Sequence, residues 1–229
     1  PWQIAYSNRK KTMAAFDLEE QEQISQIKGW WEQYGTIVTV IALVAALASV
    51  GWQGWNWYRG KQGAEASALY AVVQQAAAER NAPKAREAAG AIIEKYSGTS
   101  YADLAALLSA KVQSDAGDLK NARVPLAWAA EKANDPALRS LARLRLASVL
   151  LDEKAYDEAL AQVQAPSDPD LAARFADLKG DILLAKGKPE EARAAYKEAI
   201  DALSGAVKSD ASALREIAQA KLDAVGSSK

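Results

Sequence analysis

The apolar positions of this chain follow two patterns. Residues 35–52, GTIVTVIALVAALASVGW, form a run without a charge or a proline. As α-helix it would extend ~27 Å, close to the ~30 Å hydrocarbon core of a bilayer, so the pattern predicts a membrane-spanning helix. From residue 64 onward, apolar residues recur at helical spacing in short segments. Gly, Pro, Asn and Asp break those segments apart.

Aromatic residues bracket the apolar run. Trp30, Trp31 and Tyr34 precede it, and Trp52, Trp55 and Trp57 close it. Indole and phenol rings settle at headgroup level, where one edge is apolar and the other wet. A cleavable signal would have a basic start and a short apolar core; here the preceding stretch is acidic and the run is long. Residues 35–58 are therefore expected to be an uncleaved anchor with aromatic belts, in contact with membrane lipid. Ahead of it, residues 13–34 read as an acidic tail. Residues 1–12 lack the acidic character of that tail, and MAAFDLEEQEQ from Met13 reads as a natural start, so 1–12 are expected to be upstream or expression-derived sequence.

The second pattern predicts helices at 64–80, 84–96, 101–116, 119–133, 136–152, 156–164, 170–186, 190–203 and 210–225. These make four hairpins and a last single helix over residues 64–225. Thr99 or Ser100 is expected to cap the third helix, and Asn134-Asp135-Pro136 gives a turn, a cap and a proline in the first turn. Pro125 is expected to bend or delay the helix that contains it.

The hairpins repeat. Gly180, Leu183, Ala192 and Tyr196 shifted back by 33 residues become Ala147, Leu150, Ala159 and Val163, keeping the order small, large, small, large. Ala199 shifts onto Pro166. Steps of 37 from Ala159 reach Ala122 and then Ala85, with Leu126 and Ala129, and Ala89 and Ile92, beyond them. Small residues let the two helices of a hairpin cross closely, and large ones fill the gaps between hairpins. One hairpin cannot bury its apolar face alone, so successive hairpins stack. For the first two hairpins, full repeats and irregular helical packing both fit the residues.

Gly180, Gly187, Ala192, Tyr196 and Ala199 stand where the tetratricopeptide repeat places them. Residues 174–203 resemble that repeat best, 140–166 well and upstream segments less. Pro166 replaces the alanine the repeat wants, which predicts a short helix there. The whole order is an acidic tail, a Trp-girdled anchor and a helical-repeat domain containing YSGTSYADLAALLSAK at 96–111. It resembles the YfgM family, ancillary subunits of the bacterial SecYEG translocon. The fold class expected is all-α: one transmembrane helix followed by a TPR-like helical-hairpin solenoid. The resemblance implies an inner-membrane protein with its amino terminus in the cytoplasm and its repeat domain in the periplasm. It also implies association with the SecYEG translocon and with a periplasmic chaperone of the PpiD type. The local charge count, Lys28 before the run against Arg59 and Lys61 after it, leans the other way, although long domains translocate despite so small a bias. Repeat spacing nominates Lys111, Ser114, Leu144, Ser148, Leu151, Asp177, Asp181 and Leu184 as contacts on the concave face.

Composition narrows the chemistry. The formal charge of −1 over 229 residues provides no basic field for nucleic acid. Without cysteine there is no thiol catalysis, and without histidine the usual neutral-pH base and commonest metal ligand are missing. Asp157-Glu158 and Glu190-Glu191 fall in first turns of helices, where negative charge complements the exposed amides. No cofactor, metal, small-molecule substrate or enzymatic activity is expected. The function expected is protein binding at the translocon, assisting chains that emerge into the periplasm or recruiting a chaperone. The alternative is a scaffold for cell division or outer-layer assembly.

Overall fold

The computed structural model describes residues 2–164, 168–203 and 209–226, with side chains from residue 28 onward other than 209 and 210. Every regular element among them is helical: α1 (Trp2–Ala78), α2 (Ala82–Tyr96), α3 (Ser100–Asp115), α4 (Leu119–Lys132), α5 (Pro136–Asp152), α6 (Tyr156–Gln162), a single 3-10 turn (Pro169–Leu171), α7 (Ala172–Ala185), α8 (Pro189–Ala202) and α9 (Ser209–Gly226). Contacts divide the chain into two units, Pro1–Arg59 and Gly60–Lys229.

Among its described residues the first unit is helix alone. The second opens with residues 60–78 of α1. A helix beginning after Gly63 was expected; instead Gly60 and Gly63 are both helical within α1. A glycine costs a helix interior about 1 kcal/mol, too little to break one that its neighbours continue on both sides. Residues 60–78 carry the first helix of the first hairpin, with Ala66 and Val73 buried against Ala89 and Ile92 of α2 and Ala102 and Ala105 of α3.

One turn geometry recurs four times. Arg80, Gly117, Lys154 and Gly187 all have positive φ (53°, 77°, 61° and 79°), at intervals of 37, 37 and 33 residues. In each turn the amide after that residue bonds back to a carbonyl in the closing helix: Asn81 to Ala76, Asp118 to Gln113, Ala155 to Leu150 and Lys188 to Leu183, at 2.8 to 2.9 Å. This is the Schellman closure, which satisfies carbonyls that a helix end leaves open. The buried small residues keep the same register: Ala85, Ala122, Ala159 and Ala192 are all fully buried. The first two hairpins therefore share the turn and packing of the last two, and are repeats rather than irregular helical packing.

Several caps follow the sequence. Asp118 accepts from the Asn121 amide at 3.3 Å, and Asp135 from Ala137 at 2.7 Å. Thr99 precedes α3 but does not cap it through its side chain. Its hydroxyl donates back to the Tyr96 carbonyl at 2.8 Å, a local bond that competes with capping. Pro125 lies inside α4 without delaying it; the helix starts at Leu119 as the pattern implied. α6 is short, ending at Gln162. Pro166, to which that shortness was assigned, lies outside the described residues.

The main core runs through α3 to α7, with Leu126, Leu146, Leu150, Phe175 and Ile182 filling the spaces between alanine seams. An alanine seam alone buries little apolar area, while ordering each residue costs about 1–2 kcal/mol. Stability therefore comes from stacking, as in other repeat proteins. α9 closes the stack. Ala211 and Leu214 pack with Ala173 and Leu203, and Ala218 with Ala176 and Ala199.

Candidate functional site

In the first unit the run leaves its apolar side chains outward. Ile37, Val40, Ile41, Leu43, Val44, Leu47 and Val50 are each more than half exposed. Trp30, Trp31, Tyr34, Trp52, Trp55 and Trp57 are exposed as well. Trp30 stacks near Tyr34 at 5.8 Å, and Arg59 lies 5.6 Å over the Trp55 ring at the other end. So large a continuous apolar surface marks a site for lipid or protein rather than water. Among the described residues, this is the one helix long and apolar enough to cross a membrane.

In the second unit, the residues expected to pack between repeats are buried. Ala147, Leu150, Ala159, Gly180, Leu183, Ala192, Tyr196 and Ala199 all lie in the core. Gly180 has no room for a side chain: a Cβ there would overlap the Tyr196 ring.

The residues expected on the concave face separate into three groups and one lone residue. Lys111 and Ser114 from α3 and Ser148 from α5 line one cleft of about 380 Å³. Leu144 and Leu151 are half-buried against the main core and act chiefly in packing. Asp177 and Asp181 are engaged by α9, where Lys221 Nζ lies 2.7 Å from a carboxylate oxygen of each. Leu184, beyond them, is exposed. α9 covers only Asp177 and Asp181 among the eight, through Lys221.

This clamp has its own electrostatics. Burial raises the Asp177 carboxyl above the ordinary range, outweighing the hydrogen bond and attraction from Lys221. Burial works against the Lys221 charge, yet hydrogen bonds and attraction from both aspartates raise its pKa overall. Tyr196 donates to Asp181 at 2.8 Å; burial first, then that bond, raises its pKa too. Lys221 also lies 5.7 Å over the Tyr196 ring, within reach of a cation–π interaction.

Residue types alone did not point to several other side chains. Arg145 and Asp152, both on α5, line the same cleft as Lys111 and Ser148. Asp152 lies 37 residues after Asp115, a spacing that could have revealed it; Arg145 has no such signal. Asp103 is fully buried near the start of α3 and accepts from the Asn134 amide at 3.0 Å. Asn134 also donates to the Ser97 carbonyl at 3.1 Å, tying two loops together. Gln113 is buried beside Ser109, to which its Nε2 donates at 2.9 Å. Asp157 and Glu158, placed by the sequence in a first helical turn, also pair with Lys186 of the next hairpin and Arg123 of the previous one.

Hairpins repeated with one turn geometry and a closing helix define a helical-repeat protein. The family profile described as "Tetratricopeptide repeat-like domain" matches residues 28–227. A solved structure, titled "MamA RS-1 ArsTM double mutant", superposes with a TM-score of 0.50 at 16% identity over 73% of this chain and 99% of that one, a likeness of fold. A relative from Neisseria gonorrhoeae named "Ancillary SecYEG translocon subunit" is 30% identical over 213 residues, 92% of this chain and 99% of its own. Relatives of the same name from Haemophilus influenzae and Escherichia coli are 30% and 34% identical. They cover 81% and 54% of this chain, and 90% and 57% of their own lengths. The chain belongs to the family of ancillary SecYEG translocon subunits, also called YfgM.

Proposed function

We propose that this chain is a membrane-anchored, protein-binding subunit of the Sec translocon. Its helix of exposed apolar residues would lie in the inner membrane against the channel, with the amino-terminal tail in the cytoplasm and the repeat domain in the periplasm. There the domain assists chains as they emerge or recruits a chaperone of the PpiD type. The observation that carries this reading is the likeness to the Neisseria gonorrhoeae subunit, which extends from the anchor through the last repeats and is not confined to the repeat fold. The exposed apolar run supports the anchor. The domain is read as a binding module, in keeping with its tetratricopeptide repeat-like family; the charged groups at Asp118, Asp135, Asp157, Glu158, Asp177, Asp181 and Lys221 serve as helix caps, ion pairs between hairpins and the clamp on α9.

A topology reporter tests the orientation. An enzyme active only in the periplasm, fused after Val225, is expected to be active. Activity of a cytoplasm-only reporter at the same place would reverse the chain and remove the exit-side role.

A further inference from the structure

We infer that one face of the anchor, at its carboxyl-terminal end, is a binding site for an anionic phospholipid whose headgroup phosphate is held by Arg59. This rests on the reading of residues 35–58 as a membrane span and names the lipid that the span selects.

Helical spacing defines the face. Ala48, Trp52, Trp55, Asn56 and Arg59 of α1 lie within about 100° of one another around the axis. Ala48, Ser49, Trp52, Gln53 and Asn56 line a shallow recess of about 580 Å³. Small side chains form one end of it and two amides edge the other. An acyl chain fits the first end, and the glycerol esters of a lipid fit the second. Neither Gln53 nor Asn56 makes a side-chain hydrogen bond among the described residues. An amide left unbonded at the edge of the hydrocarbon is costly, so lipid oxygens are its natural acceptors.

Depth places the charge at the headgroup. The apolar run 35–52 is centred between Leu43 and Val44. At about 1.5 Å per residue, Trp52 stands about 13 Å from that centre, near the edge of the hydrocarbon, and Arg59 about 23 Å. Side chains of a helix lean toward its amino terminus, so on this flank they lean back toward the bilayer. Arg59 does so: its guanidinium lies 5.6 Å from the centre of the Trp55 ring, one turn deeper. The charge thereby reaches the level of the lipid phosphate, roughly 20 Å from the centre.

Charge selects the headgroup. Arg59 has no carboxylate partner among the described residues. Residues 33–64 contain Arg59 and Lys61 and no acid. A zwitterionic lipid would bring an ammonium that no carboxylate in those residues could pair. A headgroup whose phosphate is its only charge meets a guanidinium that can take two of its oxygens at once. The amino-terminal flank differs. There the same lean carries Lys28 away from the bilayer, one turn before Glu32 and after Asp17, Glu19, Glu20 and Glu22. Selection is therefore confined to the leaflet at the carboxyl-terminal end of the span.

The test uses the full chain in vesicles of dioleoylphosphatidylcholine with dioleoylphosphatidylglycerol as the minor component, one of the two lipids carrying bromine on its acyl chains. Bromine quenches tryptophan fluorescence on contact, and Trp52 and Trp55 border the site. Comparing the quenching by the two brominated lipids gives their relative affinity, which should favour phosphatidylglycerol by about fivefold. Arg59→Gln should abolish the preference. Ala48→Leu fills the recess without touching a charge and should lower the preference by about half or more. Lys28→Gln should leave it unchanged. Full preference in either of the first two variants, or an equal loss in Lys28→Gln, would overturn the site and assign the attraction to surface charge at large. Equal quenching by both lipids in the natural chain would overturn the site and keep the anchor. Quenching by neither would remove the anchor reading as well.

Discussion

The ring of Tyr196 lies across the backbone of Gly180, where a side chain would otherwise stand. It sets how closely α7 and α8 cross, and its hydroxyl reaches Asp181, one of the two carboxylates that hold Lys221 of α9. A single aromatic side chain thus connects the crossing of the last hairpin to the helix that closes the stack. Gly180→Ala should destabilise the domain by about 1–3 kcal/mol, since the ring is fully buried and must shift. Denaturant unfolding of the variant gives the value; an unchanged midpoint would mean that the crossing is not close.

The repeat register predicts a contrast between two alanines. Ala192 is fully buried at a helix crossing, and Ala185 is exposed. Ala192→Leu should cost about 1–3 kcal/mol and Ala185→Leu well under that, compared under the same denaturant. Equal midpoints would contradict the register.

The turns predict opposite signs for opposite substitutions. Lys154 has the left-handed backbone that glycine has at Gly117 and Gly187. That conformation costs a residue with a Cβ about 1–2 kcal/mol. Lys154→Gly should therefore stabilise the domain, by up to about 1 kcal/mol after glycine's extra freedom when unfolded is counted. Gly117→Ala should destabilise it by about 1–2 kcal/mol. Thermal unfolding of the pair checks both signs.

Much of this fold was legible in the sequence because it rests on local signals. The turns at Gly117 and Gly187, the cap at Asp135 and the alanines at 33- and 37-residue spacing are short-range features with one physical reading each. Arg80 and Lys154 hid two of the four turns, since neither residue type announces a positive φ. The continuity of α1 through Gly60 and Gly63 was hidden as well, because propensity penalises glycine one position at a time. The face of Asp177 and Asp181 was found by spacing, but their partner Lys221 lies 44 and 40 residues away, a pairing no local pattern encodes. Arg145 came into view only when α3 and α5 were brought together.

Asp103 predicts a pH dependence. Burial holds its folded pKa above the ordinary carboxylate value, against the pull of the Asn134 amide. The folded state therefore binds the proton more tightly than the unfolded state. The stability from that proton is present below the ordinary value and is lost as pH rises through the raised one. Asp103→Asn keeps an oxygen for the Asn134 amide and removes the titration. Its stability relative to the natural chain should rise between about pH 4 and about pH 7. A flat or falling difference in unfolding free energy across that range would show that burial does not disfavour the Asp103 charge.

The most direct test of Sec association is photo-crosslinking from the membrane helix in living cells. A photoreactive residue at Val44 or Leu47, both well exposed on α1, samples whatever lies beside the anchor at mid-membrane depth. An adduct with a channel subunit of the Sec translocon is expected from at least one of these positions, still formed when the second unit is replaced by an unrelated domain. Adducts with another envelope complex and none with the channel would contradict it.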